Sequence, residues 1–211
     1  LEILESRGVE VKNGATSQRL FLGKNNYSNN FTLLFTQQGK TVQEIAYWTN
    51  LKSVNLFAEG LFNLIGYETK NIGSNSESIK AFHQYWDSKI NLEGMKINDG
   101  SGLSRLNAIS ADHFCELLIY MSKSKEFENF KSTLPIAGKT GTIKSLCRGG
   151  VGEGRIFAKS GTINKVKAYS GYVKTVNGKD LVFSFTVNNY SCSTSALVSK
   201  MEQVLNAMAA Y

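Results

Sequence analysis

The stretch from Arg155 to Ala210 constrains the fold more than any other part of the chain. Three β-rich runs, Arg155 to Ile163, Val166 to Thr175 and Asp180 to Asn189, are separated only by the short turns Asn164-Lys165 and Asn177-Gly178. Asn-Gly between two such runs is a strong hairpin signal, because both residues tolerate the positive φ that tight hairpins require. Thr194 to Ala210 follows with Leu197, Val198, Met201, Val204, Leu205 and Met208 on one helical stripe. Strands joined by turns this short pair antiparallel, and a helix with one apolar stripe buries it against a sheet face. The predicted class is α/β in its α+β form: an antiparallel meander closed by a C-terminal helix, with a helical region before it.

That helical region is legible from caps and spacing. Thr41 with Glu44 three residues on is a capping box for a helix through Trp48. Asn50 to Gly66 carries Val54, Phe57, Ala58, Leu61, Leu64 and Ile65 on one stripe and predicts a helix ended by Gly66, with Ser53-Val54-Asn55 at its start. Ser76 to Ile90 reads as a helix with Ile79, Phe82, Tyr85 and Trp86 on one face. Ser110 caps another, whose core face is Phe114, Leu117, Leu118 and Met121. Between these two lies the polar turn Asp99-Gly100-Ser101-Gly102. Further upstream, Leu1 to Ser6 reads as a helix tail ended by Gly8, Val9 to Val11 as a short extended stretch, residues 13–30 as loop and Phe31 to Phe35 as a strand. The chain opens on Leu1 inside that helix tail, so it is read as a possible fragment of a longer protein.

Composition excludes several classes. With 211 residues, 42% hydrophobic and 19% charged, the chain is a folded domain able to bury a core without staples. Its three cysteines, Cys115, Cys147 and Cys192, form no disulfide framework and no C-x-x-C zinc pair. No run of about 18 apolar residues is present to span a membrane. The net charge of +7 suits an anionic partner, yet the basic residues are dispersed without the aromatic interleaving of a nucleic-acid surface. No nucleic-acid partner is expected, and neither a cofactor nor a metal.

Two histidines leave little room for a Ser-His-Asp hydrolase: His83 sits in an apolar helix and His113 in the first turn of another, where capping is the better role. Serine and lysine chemistry remains. Lys139-Thr140-Gly141-Thr142 and Lys159-Ser160-Gly161-Thr162 each place a cation beside a hydroxyl, able to bind a carboxylate, with a glycine that lets a substrate backbone approach a strand. Lys159 is favoured because it lies in a β-run leading into the meander, whereas Lys139 follows Pro135 and runs towards a glycine-rich segment.

Taken in order, Ser53-Val54-Asn55, Asp99-Gly100-Ser101-Gly102-Leu103-Ser104-Arg105, Leu134-Pro135-Ile136-Ala137-Gly138, Ala158-Lys159-Ser160-Gly161-Thr162 and Ser170-Gly171-Tyr172-Val173 form a set. With it the chain resembles the C-terminal part of the D-alanyl-D-alanine carboxypeptidase/endopeptidases, the class C low-molecular-mass penicillin-binding proteins, over nearly its whole length. The resemblance implies a serine β-lactamase-like fold with S-x-x-K, S-x-N and K-T-G signatures. It also implies a serine-type hydrolase outside the cytoplasm, in the periplasm, that acts on peptidoglycan stem peptides through an acyl-enzyme and is inhibited by β-lactams. By the same resemblance Ser53 relays a proton to the leaving group and Asn55 bonds the substrate amide. Lys159 and Ser160 hold the terminal carboxylate beside Gly161, and the Thr162 N–H is half of an oxyanion hole, a donor type worth about 10²–10³ in rate. Leu103 and Arg105 line the stem-peptide pocket.

The chain departs from this pattern at several points. Ser160 stands where threonine is usual and keeps the hydroxyl; Val54 replaces an aspartate that points away from the cleft. Residues aligned with Lys139-Thr140 are usually non-basic and acidic, which makes that segment a lookalike. The only S-x-x-K is Ser122-Lys123-Ser124-Lys125, at the end of a helix, whereas a nucleophile belongs at the start of a buried one. The nucleophile is therefore expected upstream of Leu1, and residues 1–211 are expected to be the C-terminal part of a catalytic domain, inactive by themselves. The rival reading is a non-catalytic module that binds wall peptides.

Overall fold

The computed structural model describes residues 2–10 and 35–211. The chain divides into two units, Leu1–Gly39 and Lys40–Tyr211. In the first, helix α1 (Glu2–Glu5) ends in a turn at Gly8, where φ is +76°. Val11, the 13–30 loop and Phe31 to Leu34 fall outside the described residues; Phe35 is exposed and in no strand.

The second unit begins with α2 (Val42–Lys52), opened by the expected reciprocal capping box of Thr41 and Glu44. The predicted continuous helix over 50–66 does not form. Asn50 to Lys52 close α2, Ser53 turns the chain in the left-handed region (φ 56°, ψ 51°), Val54 is extended, and α3 runs Asn55–Lys70. The apolar stripe continues across this break, so periodicity alone does not reveal it. Gly66 lies inside α3 rather than ending it. A Cβ there would meet Ser78 Oγ and Ile72 O at 2.8 Å, so this glycine is what lets α4 (Asn75–Trp86) pack closely on α3. The Ser78 hydroxyl accepts from the Gly66 N–H at 3.1 Å. Helix α4 ends at Trp86, short of the expected Ile90.

Helix α5 (Ala111–Ser122) starts at Ser110 as expected, and His113 completes its cap: Nδ1 accepts from the Ser110 N–H at 3.1 Å. Helix α6 (Phe127–Thr133) and a 3-10 turn (Gly141–Ile143) lead to the sheet. Strands β1 (Ile156–Ile163), β2 (Val166–Lys174) and β3 (Asp180–Asn188) form the predicted antiparallel meander in the order β1-β2-β3, followed by α7 (Thr194–Ala210).

Both faces of the sheet are covered. On one, Ile156, Ala158, Tyr169, Val173 and Phe183 pack with Leu197, Met201, Leu205 and Ala209 of α7, with Ile143 at the end of the 3-10 turn and with Leu146 beyond it. Val204, assigned by periodicity to the same stripe, is instead exposed. On the other face Phe157 and Tyr172 pack with Leu118 of α5 and Phe127 and Phe130 of α6, and the Tyr172 hydroxyl donates to Leu118 O at 2.8 Å. On this face α5 lies mainly against β3 and reaches β2 through Leu118 and Tyr172.

Candidate active site

Register fixes what β1 presents. Ala158 N–H donates to Pro135 O at 3.0 Å and Ile156 O accepts from Ala137 N–H at 2.9 Å, so the even-numbered residues turn their backbone groups away from β2. Strand alternation then directs the N–H groups of Ser160 and Thr162 to the same outer edge. The segment Pro135 to Ala137 runs antiparallel along that edge from Ala158 back to Ile156, and the residues before Pro135 belong to the end of α6, so this segment covers the edge only as far as Ala158.

Lys159 lies on the α5 side of β1, opposite Ser170, and its side chain reaches the edge. There Nζ donates to Ser53 Oγ at 2.8 Å and to Ser160 O at 2.6 Å. Two motifs 106 residues apart in sequence thus meet at one ammonium. Burial, followed by the nearby charge of Lys167, holds Lys159 below its ordinary lysine value. Ser160, on the opposite face, is buried, and its hydroxyl donates to Thr142 Oγ1 at 2.8 Å. Thr162 is exposed; its hydroxyl accepts from Lys167 Nζ at 2.7 Å. The two-residue turn pairs Ile163 with Val166 and hence Thr162 with Lys167, so this second lysine was readable from the hairpin register.

Ser53 is held in place by α2. Asn50 Nδ2 donates to the buried Thr133 Oγ1 at 2.8 Å, tying the end of α2 to the end of α6. Asn55 opens α3 exposed and makes no side-chain hydrogen bond to a described residue, which leaves its amide available. The Asp99 loop is clamped on α3: Glu59 Oε2 accepts from the N–H groups of Gly100 (2.9 Å) and Ser101 (3.1 Å). Inside it, burial alone would raise the Asp99 carboxyl, but donors from Asn107, Ser104, Gly102 and Ser101 outweigh burial and hold it below the usual range. Leu103 and Arg105 sit exposed on this loop, and neither makes a described hydrogen bond to the motifs around Lys159.

The lookalike segment is occupied otherwise. Lys139 Nζ pairs with Glu153 Oε1 at 2.6 Å, and Thr140 Oγ1 accepts from Ile136 N–H at 2.9 Å. Thr142, which pattern reading passed over, is the member that touches the site. Ser122, in the lone S-x-x-K, donates its hydroxyl to Ile119 O at 2.8 Å within the last turn of α5. Among the described residues no cluster of metal-ligating side chains exists.

The three-stranded antiparallel sheet backed by a C-terminal helix, with helices on its other face, is a β-lactamase-like fold. An extended-spectrum β-lactamase, TLA-3, has this fold, superposing with a TM-score of 0.60 over 99% of this chain and 78% of its own at 17% identity. Penicillin-binding protein 4 of Haemophilus influenzae superposes with a TM-score of 0.72 over 80% of this chain and 40% of its own at 24% identity. Residues 2–211 match the D-Ala-D-Ala carboxypeptidase 3 (S13) family, and the chain belongs to that family. A D-alanyl-D-alanine carboxypeptidase of Actinomadura is 34% identical over 145 residues, 66% of this chain and 27% of that protein. The chain thus spans well under half the length of these carboxypeptidase and penicillin-binding relatives.

Proposed function

We propose that this chain is the substrate-holding part of a serine-type D-Ala-D-Ala carboxypeptidase or endopeptidase that works outside the cytoplasm on peptidoglycan stem peptides and is acylated by β-lactams. The observation that carries the reading is the 2.8 Å bond between Lys159 Nζ and Ser53 Oγ at the outer edge of β1. An ammonium and a hydroxyl there bind the terminal carboxylate of a peptide laid along the edge, while Ser53 hands a proton to the departing amine. Asn55 bonds the substrate amide, and the Thr162 N–H stabilises the oxyanion of the tetrahedral intermediate together with a second donor. Leu103 and Arg105 contact the stem-peptide side chain, and Gly161 leaves room for its backbone.

The nucleophile is proposed to come from polypeptide beyond these 211 residues, which together form one catalytic domain. Two facts support this: Ser122 spends its hydroxyl on the α5 backbone, and the carboxypeptidase relatives are at least about twice as long. The test is to incubate the full gene product with labelled penicillin and compare it with Lys159→Ala. A covalent adduct that forms on the parent and at least about 100-fold more slowly on the variant supports the reading. An unlabelled parent, or equal labelling of both, overturns it.

A further inference from the structure

Resting on that reading, the structure assigns Thr142 as a positioning residue for carboxylate recognition, acting through Ser160. The residue belongs to a turn built to reach two places at once. Gly141 has φ +61°, and a Cβ on it would lie 2.8 Å from Leu51 O and 3.0 Å from Pro135 Cβ, so the turn is pressed against the last residues of α2 just before Ser53. Ile143, 1% exposed, anchors the other end of the turn in the core. Between them Thr142 meets Ser160 at 2.8 Å. Lys139-Thr140-Gly141-Thr142 is therefore the spacer between the two motif-bearing elements.

The direction of the bond matters. A hydroxyl carries one proton, and the Ser160 proton is directed at Thr142 Oγ1, away from any ligand. In that state Ser160 has only lone pairs left to offer a ligand, and lone pairs repel a carboxylate. Thr142 Oγ1 donates to no described residue, so its own proton is free to turn. If Thr142 donates to Ser160 Oγ, the Ser160 proton is released to the carboxylate bound at Lys159. Both hydroxyls keep their protons throughout; only their O–H bonds rotate. The pair is a reversible donor that an anion switches on, and a chain of two hydroxyls ending on a carboxylate is stronger than a single neutral bond.

The test uses the full gene product and the rate of adduct formation with labelled penicillin and with its methyl ester, which lacks the anionic oxygen. Thr142→Val keeps the shape and removes the relay. It is expected to lower the rate with penicillin about tenfold and leave the ester within about twofold. Thr142→Ser, which retains the hydroxyl, is expected to restore the penicillin rate. Equal losses for acid and ester, or no loss with Thr142→Val, overturn the assignment while the wider reading stands. A parent protein that takes up neither probe overturns both. Should Thr142→Val not fold, the acid-to-ester ratio of Thr142→Ala decides on the same terms.

Discussion

At Lys159, charge and burial oppose one another. The ammonium is half-buried at the sheet edge, with a second cation, Lys167, one strand away, and both effects favour its neutral form. The sign follows directly. A lysine whose folded pKa lies below its unfolded one penalises folding while it is charged, and the penalty is relieved as pH rises through the folded value. For function the consequence is that carboxylate binding fails at a lower pH than the ordinary 10.5 of lysine. The alkaline limb of the pH–rate profile for penicillin acylation should therefore fall below 10.5, and Lys167→Met should move it upwards by removing the like charge. A limb that stays put or moves down in that variant would count against the coupling. Lys167 was legible from the hairpin turn and Lys159 from its β-run, because strand register propagates from local signals. Thr142 was not. Its partner Ser160 is 18 residues away, and only the packing of the intervening turn brings the two hydroxyls together.

Among the elements, the hairpin of β1 and β2 bears the greatest constraint. A Cβ at Gly171 would stand 2.0 Å from Phe157 O and 2.7 Å from Ala158 Cα, both backbone atoms of the neighbouring strand. Neither can move without parting β1 from β2, and β1 carries the whole Lys159 to Thr162 motif. Gly171→Ala is expected to cost about 2–3 kcal/mol, read as a lowered urea midpoint, and to slow penicillin labelling as well. Unchanged stability would mean that the strands separate more easily than their covered faces suggest. The meander and α7 were readable because their signals are local: a two-residue turn, an Asn-Gly and a 3.6-residue stripe. The boundary between α2 and α3 was hidden for the opposite reason. Residues 50–66 keep one apolar stripe through the break, and what interrupts the helix is left-handed Ser53 followed by extended Val54, two residues whose identities announce nothing of the kind.

Across the whole Lys40–Tyr211 unit, stability and the site draw on the same residues. Domains of this size hold together by only about 5–15 kcal/mol, so a strained residue is a measurable fraction of the total. Ser53, at φ 56°, occupies a region that costs an L-residue with a Cβ roughly 1 kcal/mol and costs glycine almost nothing. Ser53→Gly should preserve the turn, remove the hydroxyl that Lys159 grips, and leave the thermal midpoint equal to or above that of the parent while penicillin labelling falls. A midpoint several degrees lower would show that the hydroxyl, not the backbone, holds the turn. The two effects pull a population of variants in opposite directions. A library screened for folding alone would drift towards glycine at position 53, and the persistence of serine there would measure how strongly selection for chemistry outweighs selection for a quieter backbone.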